Sequence, residues 1–192
     1  MIPVGPAEMV GRLRDGFHVF CTRMDALDRF GDTREDFLKS FWCLLLIYPL
    51  VFAALYRLNT YGSDYPGFEY FIAETTDYLI KLVYWPLIMA YLSVLLGRPE
   101  RWIRYVVAAN WVVLTPMAIQ IVLLLTIDFE SGSGGARILF LMIQGWSLFI
   151  GGMVLRHLFK TSLPVTLLLV LGDLAIGRVL GWIKTYILLQ SL

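Results

Sequence analysis

Histidine and cysteine are scarce in this 192-residue chain, two of each, and the scarcity excludes several chemistries. His18 and His157 have no second histidine, cysteine or carboxylate at ligand spacing, so no metal site is expected. None of the long apolar runs contains a histidine, which argues against the usual transmembrane cytochrome. Cys21 and Cys43 are not spaced for a disulfide or a metal site and read as small apolar side chains. No GxSxG, Walker loop or GxGxxG occurs, so the chain offers no catalytic residue and no cofactor-binding residue, and a non-enzyme is expected. Charge is scarce too: 16% of residues, with a net of +1. Nucleic acid needs a concentrated basic surface, so it is not expected as a partner.

What is abundant is apolar surface. With 58% hydrophobic and 15% aromatic residues and a mean hydropathy of +0.70, the chain is too apolar for a soluble domain. The expected class is all-α, a polytopic membrane helical bundle with five transmembrane helices and an N-terminal amphipathic interfacial helix, its first partner the lipid bilayer. The first long apolar run starts only after residue 39, so no secretory signal is expected and insertion falls to the spans themselves.

Residues 1–36 read as a cytoplasmic arm and 37–192 as the membrane domain. In the arm, Val10, Leu13, Phe17, Phe20, Met24 and Leu27 recur in alternating steps of three and four, one face of a single helix. Such a helix lies in the membrane interface or on the bundle's own cytoplasmic face, and the same stripe is the candidate docking surface for a partner. Gly31 is expected to cap it, and Asp32 with Glu35 to start the next helix.

The expected spans are about 37–58, 70–97, 103–127, 137–155 and 163–188. Pro49 and Pro86 are expected to kink the first and second. Tyr56, Tyr61, Tyr65 and Tyr70 in or beside the turn-rich stretch 59–68 suggest an interfacial belt. Asn110 and Gln120 in the third span should hydrogen-bond to neighbouring helices, and Gly145, Ser147, Gly151 and Gly152 in the fourth offer small faces for packing, as does the Gly177 to Gly181 pair in the fifth. The stretch 128–135 reads as an exposed loop.

Basic residues set the orientation. Arg12, Arg14, Arg23, Arg29, Arg34 and Lys39 precede the first span, Arg98, Arg101 and Arg104 follow the second, and Arg156 and Lys160 follow the fourth. The positive-inside rule then makes the N-terminus cytoplasmic and the C-terminus external, in the inner (plasma) membrane.

Asp173, Arg178 and Lys184 stand inside the last span, and a charge at that depth costs several kcal/mol unless it is met. Glu74, Asp77 and Lys81 share one face of the second span. Counting rise from the outer ends puts Asp77 level with Arg178 and Lys81 level with Asp173, so these two ion pairs are expected across a seam between the second and fifth spans. The network Glu74, Asp77, Lys81, Asp173 and Arg178 reads either as a lock between helices or as a proton or ion relay.

The first span opens with Asp36, Phe37, Leu38, Lys39, Ser40, Phe41 and Trp42. With five spans and a cytoplasmic arm, this resembles the Yip-domain family of membrane proteins, whose first span opens Asp-Leu-x-Gly-Pro; Asp36 matches, and Lys39 and Ser40 replace the Gly-Pro. The resemblance implies a five-span fold and, from eukaryotic members, partners among small GTPases. The general texture also resembles small bacterial inner-membrane proteins. The function expected is that of an accessory, scaffold or assembly subunit with a protein partner or a second copy of itself. The alternative is a small transporter or channel working through the charged network.

Overall fold

A computed structural model describes residues 4–62, 67–126 and 134–190, with side chains outside 55–70, 136 and 187–190. The described residues form α1 (Pro6–Phe20), α2 (Arg34–Gly62), α3 (Gly67–Leu95), α4 (Trp102–Val112), α5 (Leu114–Thr126), α6 (Gly134–Phe159) and α7 (Leu163–Gln190), with short 3-10 turns at Met24–Arg29 and Pro99–Arg101 and no strand. Among the described residues, five stretches are long and apolar enough to cross a membrane: Arg34–Ala54, Phe71–Leu95, Pro99–Thr126, Arg137–Phe159 and Leu163–Tyr186. Helix extends into both expected loops, since α2 reaches Gly62, α3 begins at Gly67 and α6 begins at Gly134. The tyrosine belt lies outside the described side chains.

Local chemistry explains where the helices start, stop and break. Thr33 and Asp36 form a reciprocal capping box at the start of α2: the Asp36 N–H donates to the Thr33 hydroxyl (3.1 Å) and the Thr33 N–H to the Asp36 carboxylate (3.3 Å). This displaces the expected box of Asp32 and Glu35, which instead bind Arg104 (2.6 Å) and Lys39 (2.8 Å). Gly97, at φ +68°, closes α3 in a Schellman motif in which the Arg98 N–H reaches the Ser93 carbonyl and the Gly97 N–H that of Val94. Pro49 and Pro86 lie within continuous helices. The third span breaks between Val112 and Leu114. Pro116, two residues into α5, has no N–H for the Val112 carbonyl, and its ring crowds the turn before it.

The arm departs most from expectation. Its helix stops at Phe20, and Thr22 takes a left-handed φ of +69° in a second Schellman motif, where the Thr22 N–H meets the Val19 carbonyl and the Arg23 N–H that of His18. A β-branched residue at that φ is strained, so surrounding contacts must hold the turn. The chain then doubles back through the 3-10 turn, and the expected single stripe is divided. Leu27 is fully buried, Phe20 and Met24 pack at the edge of the core, and Val10, Leu13 and Phe17 are 66%, 40% and 51% exposed. Gly31 does not close a helix with a left-handed turn; Asp36 lies so close to its Cα that a Cβ would overlap the carboxylate.

The arm docks through its other face. A Cβ on Gly16 would lie 2.7 Å from the Trp111 carbonyl oxygen, so only glycine allows this approach of α1 to α4. The Trp146 indole N–H donates to the Phe20 carbonyl (3.0 Å), which puts the end of α1 level with the midpoint of α6. Ion pairs join the arm to the start of α2, Arg12 to Asp36 (3.1 Å) and Glu8 to Lys39 (3.1 Å), and the two limbs of the arm to each other, Arg29 to Asp15 (3.0 Å). Arg12 also donates to the Arg29 carbonyl (2.6 Å).

Helix α4 occupies the centre, touching α1, α2, α3, α5 and α6. Tyr105, Val106, Val107, Ala108 and Trp111 are buried there with Leu27 and Phe30 from the arm. The Asn110 amide donates to the Ser40 hydroxyl (2.9 Å) on α2, and Gln120 to Gln144 (2.8 Å) on α6. These are the interhelical bonds their depth calls for.

Candidate functional site

The charged stripe on α3 faces α7, and the two helices pack side by side. Glu74, Asp77 and Lys81 follow steps of three and four, and Tyr84 continues the same stripe one step further. On α7, eleven residues separate Asp173 from Lys184, which at about 100° per residue returns to within about 20° of the same face. Arg178 is turned about 140° away.

The contacts follow from those faces. The Lys184 ammonium lies 2.6 Å from the Glu74 carboxylate and 3.9 Å from that of Asp77. Lys81 pairs with Asp77 on its own helix (2.6 Å). The Tyr84 hydroxyl donates to Asp173 (2.9 Å). The expected pairs Asp77 to Arg178 and Lys81 to Asp173 do not form. Rise along a helix fixes depth but not rotation, and the actual antiparallel register, Glu74 opposite Lys184 and Tyr84 opposite Asp173, is displaced by about one turn from the expected one. Arg178 is exposed and has no partner among the described residues.

Asp173 is therefore unlike the other two carboxylates. Glu74 and Asp77 each have an ammonium within 4 Å, whereas Asp173 has only a neutral hydroxyl among the described residues.

Asp173 lines a half-open cleft of about 410 Å³ between α3 and α6, backed by α4 and α5. Tyr78, Trp85 and Tyr105 provide aromatic wall, Val106, Val154 and Val170 aliphatic wall, and Phe20 of the arm also borders it. The ring donors are already engaged: Trp85 N–H to the Tyr105 hydroxyl (2.9 Å), Tyr78 hydroxyl to the Leu44 carbonyl (2.6 Å). That leaves the surface mostly apolar with one carboxylate and one ammonium, Lys81, on its rim.

No protein-family model, curated protein or solved structure matches this chain. The site therefore rests on its own geometry. Among the described residues no group of three or more histidine, cysteine or acidic side chains could hold a metal ion. Asp36, the residue carrying the Yip-domain resemblance, has a local task, capping α2 and pairing with Arg12.

Several members of the site could have been found from sequence and others could not. Tyr84 is the next residue on the Glu74, Asp77, Lys81 stripe, and Lys184 shares the Asp173 face. Trp85, Tyr105 and Phe20 reach the cleft through packing of distant segments, for which periodicity holds no signal. The small residues divide likewise. Gly152 packs against Thr166 and Val170 of α7, while Cβ atoms at Gly145, Gly151, Gly177 and Gly181 would meet nothing within 4 Å.

Proposed function

We propose that this chain is a non-enzymatic multi-pass membrane protein acting as an accessory, scaffold or assembly subunit of a membrane complex. One observation carries the reading: four of the five charged groups at the α3 and α7 seam are committed to each other at 2.6 Å, Glu74 to Lys184 and Asp77 to Lys81. The pair between Glu74 and Lys184 crosses from helix to helix and fixes their register, and side chains closed in pairs are poorly suited to carrying charge. The location is the inner (plasma) membrane. Arg34, Lys39, Arg98, Arg101, Arg104, Arg156 and Lys160 gather where α2 and α4 begin and α3 and α6 end, which favours a cytoplasmic N-terminus and an external C-terminus. Val10, Leu13 and Phe17, exposed on α1, form an apolar face for lipid or for a partner protein, a second copy included.

Mild-detergent purification followed by native mass spectrometry tests this. The expected result is an assembly of fixed stoichiometry that Phe17→Asp weakens; a monomer alone, unaffected by that change, overturns it.

A second reading, a small transporter or channel, is favoured by Asp173, the carboxylate that lacks a cation. A cysteine at position 173 separates the two. Labelling by a membrane-impermeant maleimide supports a water-reaching path, and protection from it supports the scaffold.

A further inference from the structure

The cleft beside Asp173 holds a charge imbalance that the scaffold reading leaves unused. Of the side chains in mutual contact at the seam, Glu74, Asp77 and Asp173 are acidic and only Lys81 and Lys184 are basic, because Arg178 is turned away. Both ammonium groups are in contact with Glu74 or Asp77, so Asp173, although Lys81 stands on the same rim, has no cation in direct contact among the described residues. A carboxylate at that depth strongly favours a cationic companion.

The form of that companion follows from the walls. A bare metal ion needs several oxygen ligands, and the site offers the Asp173 carboxylate and the Tyr84 hydroxyl. Tyr78, Trp85 and Tyr105 line the same space, and aromatic faces attract organic ammonium groups through their quadrupoles. Asp173 is ten residues in from Leu163, about 15 Å along the helix, close to the middle of a roughly 30 Å hydrocarbon core. A lipid headgroup does not reach that level. A cleft of about 410 Å³ is in the range that takes a compact small molecule.

We propose that the cleft between α3, α6 and α7 binds a small lipophilic amine, its protonated nitrogen on the Asp173 carboxylate and its apolar body against Tyr78, Trp85 and Tyr105. This rests on the geometry of the cleft and on neither functional reading, so it stands or falls separately from them.

The test uses the full chain in phosphatidylcholine nanodiscs with radiolabelled phenylbutylamine as the probe. Saturable binding is expected, displaced by unlabelled amine but not by phenylbutanol, which has the same body and no charge. Asp173→Asn should weaken it at least about tenfold, as loss of a charge-assisted contact does. Gly151→Phe should abolish it with the carboxylate intact, because Gly151 borders the cleft and has open space where its side chain would start. That second variant keeps the proposal testable if Asp173→Asn fails to fold. Equal displacement by the alcohol, full binding in folded Asp173→Asn and in Gly151→Phe, or no saturable binding would each overturn it. So would a preference for laurate that depends on Lys81, which would make the cleft an anion site.

Discussion

The most apolar 18 residues of the third and of the fifth span have the same mean hydropathy, 1.9, yet 44% of those in the third are buried within the protein and only 6% of those in the fifth. Hydropathy reports that a helix belongs in lipid and says nothing about how much protein surrounds it. The third span, α4 with α5, is held by packing: Trp111 is 2% exposed and the helix has protein on nearly every side. The fifth, α7, is held by a few polar contacts, Lys184 to Glu74 and Asp173 to Tyr84, and by packing of Thr166 and Val170 on Gly152, while most of its leucines face outward. Lipid tails are as apolar as leucine, so a peripheral helix gains little from burying one, and directional contacts do more of the holding.

The contrast can be broken at either helix. Trp111→Ala should have the largest effect, a loss of about 3 to 5 kcal/mol from a fully packed aromatic, read as an earlier midpoint in SDS-titrated unfolding. Lys184→Met should cost about 1 to 2 kcal/mol by removing the principal α3 to α7 clip, and exchanging Glu74 and Lys184 should restore part of it. If the exchange recovers nothing, the pair does not hold the helix. Gln120→Leu removes one interhelical amide bond and should cost about 0.6 kcal/mol in the same assay. Leu168→Ala, at a site 70% exposed on α7, should change stability by less than about 0.5 kcal/mol. A loss comparable to that of Trp111→Ala would mean α7 is buried against another protein chain.

The helices were legible because apolar runs of membrane length have few other uses, and the adjacency of α3 and α7 was legible because their charges complement one another. Their register was not, since depth alone cannot show that Arg178 turns away while Lys184 turns toward the seam. The arm misled for a different reason. Its three-and-four spacing runs on through Phe20, Met24 and Leu27, yet the chain reverses at Thr22, in a stretch with neither glycine nor proline to mark it. The reversal comes from tertiary contacts, the close approach at Gly16 and the pairing of Arg29 with Asp15, which no local pattern carries.

That close approach also sets an order of events during synthesis. Gly16 leaves the ribosome before its seat at Trp111 exists, and at roughly 5 to 20 residues per second the delay over the intervening stretch is about 5 to 20 seconds. Through that interval α1 and the turn after it wait undocked, with Val19 and Leu27 uncovered and open to chaperones. A segment made early thus settles only after a much later one has been made, and a slowed elongation rate would lengthen its vulnerable period.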